Sequence, residues 1–341
     1  MAKKMKTTQL RYIYEMTISS SPHVHSPVTT QTIMRDVLIS LVPALVMSVV
    51  FFGFRALTVT LVSVAACVFF EWLYCKLMKI NNKTYDLSAC VTGVLLAFVC
   101  PVTIPYWTII LGAAFAILLV KMLFGGLGRN IVNPALAGRA FMFSWPVLMS
   151  TWIKVGFENA ASPFRAVDVV TAATPLASMH GKEGFFDPAA GTLSDMFWGS
   201  IGGCIGETCV PALLIGFAYL LIRKVITPRI PVAYIGTVAI LAFLFPLGND
   251  RITWMLAQLF GGGLMLGAIF MATDYVTSPL TKLGQIVYGI GCGILTIMIR
   301  YFGGYNEGVS YAILIMNTTV VLLDRIGRPV KFGAPKKEAA K

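Results

Sequence analysis

The sequence predicts an all-α integral membrane protein of about ten transmembrane helices, arranged as two inverted halves of five. Three observations carry this prediction: the scarcity of charge, the spacing of the apolar blocks, and the alternation of basic residues between successive loops. Only 12% of the 341 residues are charged and 57% are apolar, with a mean hydropathy of +0.78. A soluble domain carries roughly 25% charged residues, so these few charges cannot cover the surface of a soluble enzyme of this size. The apolar residues fall into blocks near the ~20 residues that cross a ~30 Å hydrocarbon core as a helix. An odd number of spans per half turns the second half upside down, as in many transporter-like folds.

Residues 1–35 form a polar arm bearing Lys3, Lys4, Lys6 and Arg11. It has no apolar stretch and no small-residue cleavage site, so no cleaved signal peptide is expected. The first half, 36–153, contains apolar blocks at 36–55, 57–78, 87–104, 106–124 and 133–153. A polar segment of about 45 residues, 154–199, separates it from the second half, 200–326. There the blocks are 200–222, 229–248, 254–273, 282–302 and 306–325, followed by a basic tail, 327–341. Lys and Arg recur in alternate loops: Lys76, Lys79 and Lys83, then Lys121 and Arg129, then Arg223, Lys224 and Arg229. By the positive-inside rule both termini are cytoplasmic and the 154–199 loop is external. The net charge of +12 is therefore a topological signal, reinforced by attraction to anionic lipid, and nucleic acid is not an expected partner.

A faint internal echo supports the repeat. "TGVLLAFVCPVTIPYW" from Thr92 and "GGLMLGAIFMATDYVTSP" from Gly262 both run from glycine through aliphatics to a polar or proline breaker. The seven cysteines all fall inside apolar blocks and read as small core hydrophobes. His23, His25 and His180 are too scattered for a metal site, and no nucleophilic triad, phosphate loop or CxxC pair occurs.

Three stretches carry candidate chemistry. "GGLGRNIVNPALAGRAF" (125–141) combines a glycine-loosened backbone, Pro134, the amides Asn130 and Asn133, and Arg139 within an apolar run. It reads either as a cytoplasmic loop with a snorkelling arginine or as re-entrant backbone lining a cavity, with the amides bonding a planar polar ligand. Acids inside spans are costly and so mark function. Glu71, Glu207 and Asp274 form a possible ion path, with helix-pairing hydrogen bonds as the alternative, whereas Asp324 has Arg325 and Arg328 as neighbours. The third stretch, "FRAVDVVTAATPLASMH" (164–180), presents Asp168, Thr171 and Thr174 among small side chains in the external loop, an accessible hydroxyl with little around it.

These strings, in this order, resemble the D subunits of Rnf-type ferredoxin:NAD⁺ electron-transport complexes and, more distantly, the B subunit of the sodium-pumping NADH:quinone oxidoreductase. "SSPHVHS", "IMRDVLISLVPA", "NPALAGRAF", "TAATPLA", "GSIGGCIGET", "GGLMLGAIFMATDYVTSPLT" and "RYFGGYNEGVSYAILIMN" carry the likeness over nearly the whole chain. The resemblance implies a urea-channel-like inverted-repeat fold in the cell's inner membrane. It implies FMN joined through its phosphate to Thr174 by a flavin transferase, with Asp168 and Thr171 as recognition residues. Ala172 stands where glycine is frequent and Val169 where a small or polar residue is usual. It further implies non-covalent riboflavin near Asn130 and Asn133, within the segment that also holds Arg139. The implied role is electron transfer across the membrane coupled to Na⁺ or H⁺ movement, from an external flavin-carrying subunit toward a cytoplasmic NAD-linked one. The alternatives are a passive channel or solute transporter of the same fold and a scaffold subunit with a vestigial flavin site.

Overall fold

The computed structural model describes residues 28–79, 84–152, 176, 192–248, 250–303 and 308–326. Every regular element among the described residues is helical. The elements are α1 (Thr30–Phe52), α2 (Phe54–Leu77), a 3₁₀ turn (Thr84–Asp86), α3 (Ser88–Phe98) and α4 (Tyr106–Ala114), which runs on as a π-helix (Phe115–Met122). Then come α5 (Pro134–Met142), α6 (Pro146–Met149), α7 (Leu193–Trp198), α8 (Val210–Ile222), α9 (Arg229–Leu244) and α10 (Arg251–Phe260). The last elements are α11 (Leu264–Leu266) with its π-helical continuation (Gly267–Met271), α12 (Lys282–Phe302) and α13 (Val309–Leu323).

Local chemistry sets the boundaries. Thr29 Oγ1 accepts the Thr32 N–H to open α1, and Gly53, at φ 72°, ends it by donating its N–H to Val49 O. Asp86 Oδ1 accepts the Ser88 N–H at the start of α3. Asn133 caps α5 with Pro134 in the first turn, where its missing N–H costs nothing.

Helices α1, α2 and α12, of 23, 24 and 21 residues, are long and apolar enough to cross a membrane. They match the first, second and ninth predicted spans. The eighth is bent by 59° between α10 and α11, where Gly262 and Gly263 take positive φ. The third and sixth are shorter than the apolar blocks implied, 11 and 13 residues, because residues 99–105 and 199–209 are not helical. The fifth breaks before Pro146 into α5 and the four-residue α6. Large aliphatics including Leu61, Val232 and Ile240 stay more than half exposed on the helix flanks, an apolar exterior suited to lipid.

The two non-helical stretches satisfy each other. Ile205 N–H donates to Cys100 O and Gly206 N–H to Phe98 O, at 3.0 and 2.9 Å. Cys204 Sγ donates to Val99 O, and Ser48 on α1 donates to Ile205 O. Irregular backbone within a membrane protein requires such internal partners. A Cβ at Gly206 would fall inside the Phe98 ring, so only glycine admits this approach. Around the crossing α1 lies against α8, α2 against α3 and α4, α9 against α10 and α12, and α5 against α13.

Candidate functional site

A cavity opens at the end of the molecule where α1, α3 and α5 begin and α8 ends. Its void, open mouth included, is about 710 Å³. The N-termini of α3 and α5 contribute Ser88 and Pro134 to the wall, and the segment after the second π-helix contributes Thr273, Asp274 and Tyr275. Helix N-termini bring partial positive charge to such a wall.

Lys121 reaches this cavity from the π-helix, an element often found at functional positions. Its ammonium, 1% exposed, donates to Glu71 Oε1 on α2 at 2.8 Å and to Ser88 Oγ at 2.6 Å. Two of its three protons are thereby placed. Glu71 Oε2 is buried and accepts nothing. Ser88 Oγ in turn donates to Asp86 Oδ1 at 2.5 Å.

The two asparagines named from sequence both line the cavity, but they do different work. Asn133 Oδ1 accepts the Ala135 and Leu136 N–H groups, and its Nδ2 donates to Met271 O at 3.3 Å. Its own N–H meets Asn317 Oδ1 at 3.1 Å, in the amide orientation where Asn317 Nδ2 donates to Tyr288 Oη, Thr277 O and Ile313 O. Asn133 is therefore chiefly a clamp joining α5, α13 and the second π-helix, with one amide proton left. Asn130 Oδ1, by contrast, is buried and accepts no hydrogen bond, so an acceptor waits for a donor at the cavity wall. Asp274 closes the turn after the second π-helix by accepting the Val276 N–H and the Thr277 hydroxyl.

The remaining sequence-named residues lie elsewhere. Arg139 points away from this cavity, donating to Ser310 Oγ at 2.9 Å and to Cys204 Sγ. Glu207 accepts the Cys204 N–H at 3.1 Å and lines a second, smaller cavity of about 360 Å³ beside residues 201–203 and 260–263. The three acids are thus divided: Asp274 on the first cavity, Glu71 behind Lys121, Glu207 on the second. Arg300 spans the break after α10, donating to the carbonyls of Gln258, Gly261 and Gly262. Leu176, 4% exposed, fills part of the second cavity. Thr174, Thr171 and Asp168 lie outside the described residues.

Sequence reasoning passed over Lys121, Ser88 and Arg300. The signal for the two cations was present, a lone basic residue inside "FAILLVKMLF" and "GILTIMIRYF", but both sit near block ends where snorkelling is the ordinary reading.

The family described as NQR2, RnfD, RnfE matches residues 17–333. The D subunit of the Na⁺-translocating ferredoxin:NAD⁺ oxidoreductase complex of Acetobacterium woodii is 45% identical over 329 residues, covering 95% of this chain and 98% of its own. The D subunit of the proton-translocating ferredoxin:NAD⁺ oxidoreductase complex of Clostridium ljungdahlii is 42% identical over 331 residues, covering 93% and 96%. The D subunit of the ion-translocating oxidoreductase complex of Aeromonas salmonicida is 34% identical over 348 residues, covering 94% and 99%.

Proposed function

The chain belongs to the NQR2, RnfD, RnfE family, and on that premise we propose that it is the D-type membrane subunit of an ion-translocating ferredoxin:NAD⁺ oxidoreductase complex, holding two flavins on opposite sides of the membrane. It works as part of an oxidoreductase with other subunits, including an external flavin-carrying one and a cytoplasmic NAD-linked one, and has no turnover alone. Both termini are cytoplasmic, the membrane is the cell's inner one, and the fold is two inverted five-helix repeats of the urea-channel type. The pairings of α1 with α8 and of α5 with α13, each joining matching positions of the two halves, support that arrangement.

The observation that carries the reading is the pair of cavities at the two ends of α8, one beside Thr208 and the other beside Leu220. The one beside Leu220 is assigned to a non-covalent riboflavin. Asn130 Oδ1 offers an unfilled acceptor and Lys121 an unplaced ammonium proton, matching the alternating donors and acceptors on the polar edge of a planar ring. Asn133 adds its remaining amide proton. The second cavity is bordered by Gly202, Gly203, Gly261, Gly262 and Gly263, against which Leu176, Arg300 and Glu207 pack closely. Leu176 is held there, and only Pro175 separates it from Thr174 in the chain, a reach of about 7 Å. That supports Thr174 as the external FMN attachment, made by a flavin transferase that reads Asp168 and Thr171. The flavins would supply the one-electron chemistry; the chain positions them. The two similar subunits are named for different ions, so this chain's ion is Na⁺ or H⁺, with Glu71, Glu207 and Asp274 as the acids nearest such a route.

The test is a denaturing gel viewed under ultraviolet light, with the chain co-expressed with a flavin transferase. Wild type should give a fluorescent band that Thr174→Ala abolishes. Fluorescence in both would move the attachment to another residue, and none in either, with the transferase active, would remove the covalent flavin. For the inner cavity, Asn130→Leu should lower the flavin extracted from the native complex without touching the covalent band.

A further inference from the structure

An unbroken run of hydrogen bonds links the cavity to the surface of the Lys-rich face. Asp86, half-buried in the 3₁₀ turn, accepts from Ser88 Oγ at 2.5 Å, and Ser88 Oγ accepts from Lys121 Nζ at 2.6 Å. Lys121 and Ser88 both line the cavity, and Asp86 does not. All bonds in the run point one way, from Lys121 through Ser88 to Asp86. Each link is an atom that can both release and accept a proton, and none is apolar.

We propose that Asp86, Ser88 and Lys121 form a proton relay that feeds the inner cavity from the cytoplasmic face. The proposal rests on the reading of that cavity as a redox-ligand site and of that face as cytoplasmic. In the inward direction Lys121 would give one N–H proton to the cavity's ligand as an electron reaches that ligand from a reduced flavin of the complex. The Ser88 hydroxyl, which in the resting run faces Asp86, turns to re-protonate the amine, and Asp86, carrying a proton taken from bulk water, re-protonates Ser88. Three protons each move one bond and one net positive charge enters, matching the electron. Ser88 hands protons between Asp86 and Lys121.

Glu71 keeps the relay from leaking. While Lys121 is discharged, the buried Glu71 carboxylate, whose second oxygen accepts nothing, loses its counter-ion, which is costly in a poorly hydrated interior. Discharge is therefore favourable only when the proton neutralises new negative charge in the cavity. The other titratable groups near the pair are Cys67 on α2 and Cys90 on α3, with Asp274 on the facing wall. None of these interrupts the run.

The experiment uses the assembled complex in weakly buffered solution with a pH-indicating dye. It follows proton uptake after rapid-mix reduction by reduced ferredoxin, in H₂O and D₂O, alongside flavin content. Ser88→Ala should slow uptake on the order of 100-fold, the lower end for loss of a positioned proton-transfer group. Ser88→Thr, which keeps a hydroxyl there, should restore most of the rate and the solvent isotope effect. Asp86→Asn, at the partly exposed end, should slow uptake and flatten its pH dependence. Wild-type uptake in both Ser88→Ala and Asp86→Asn, with normal flavin content, overturns the relay alone. A wild-type complex without extractable flavin overturns the cavity reading and the relay with it.

Discussion

Removing Lys121 tests whether the Lys121–Glu71 pair is a single buried unit. Both partners are nearly inaccessible, at 1% and 4% side-chain exposure, and their charged atoms are 2.8 Å apart. At an effective dielectric near 20 that separation corresponds to about 6 kcal/mol of attraction, set against the cost of desolvating both ions. Lys121→Met keeps the stem length and deletes the charge, leaving Glu71 with neither the ammonium on Oε1 nor any donor on Oε2. A buried charge stripped of its partner destabilises by about 3–5 kcal/mol. Glu71→Leu should cost a similar amount, because Ser88 then becomes the only acceptor for the ammonium. The double variant, with two apolar side chains packed together, should lie within about 2 kcal/mol of wild type rather than at the sum of the singles. The assay is unfolding by SDS titration from mixed micelles, followed by circular dichroism, with all four proteins under one condition. Additive losses in the double variant, or a Lys121→Met loss below about 1 kcal/mol, would refute the reasoning, since either means the charges do not depend on each other.

Three further expectations use the same assay. A Cβ at Gly93 would stand 2.7 Å from the Val64 Cα, a backbone atom that cannot swing aside, so Gly93→Ala should cost about 1–3 kcal/mol and push α3 from α2. Arg300→Met leaves the carbonyls of Gln258, Gly261 and Gly262 without their guanidinium donors. A loss of at least about 2 kcal/mol is expected, with Arg300→Lys recovering only part because an ammonium lacks the planar fork. Asp250, exposed at the start of α10, is held below its ordinary carboxylate range by the Thr253 hydroxyl and by the Thr253 and Ile252 N–H groups. Its contribution is therefore full above that ordinary range and disappears as pH falls through its depressed value. Asp250→Ala should accordingly weaken the protein at neutral pH and narrow its difference from wild type in acid.

What the sequence made legible was whatever depends on local runs. The membrane class and helices α1, α2 and α12 follow from long apolar stretches, which Pro43 in α1 and the glycines of α12 do not interrupt. The break after α10, at glycines 261–263, was missed: one apolar block runs through 254–273, with its breaker at Asp274. The crossing was not legible, because its bonds join Phe98 and Cys100 to Gly206 and Ile205, about a hundred residues away. Apolar blocks at 87–104 and 200–222 look like full spans until those partners are known. The same non-locality divides the candidate residues. Asn133 and Asn130 are three apart and chemically identical, yet one caps a helix and the other keeps a bare acceptor. Lys121 read as a loop charge because Glu71, its partner, is fifty residues away.

The crossing also weighs against the passive-channel alternative. A channel of this fold would need a polar path from Asp274 to Glu207. The two cavities that hold these acids share no lining residue. At the crossing Phe98, Cys100, Cys204 and Ile205 are wholly buried, and the backbone groups that pair across it are bound to one another rather than offered to an ion. Arg139 adds a guanidinium beside Cys204, and Arg300 occupies carbonyls at the helix break that could otherwise replace an ion's hydration shell. Among the described residues, a hydrated cation at the crossing meets buried side chains with fixed positive charge beside them. An electron needs no such opening, only redox groups on either side of a thin, dense partition. On this reasoning, vesicles carrying the chain without electron donors should hold a Na⁺ gradient as well as empty vesicles do. A donor-independent leak that Glu207→Gln or Asp274→Asn abolishes would restore the channel.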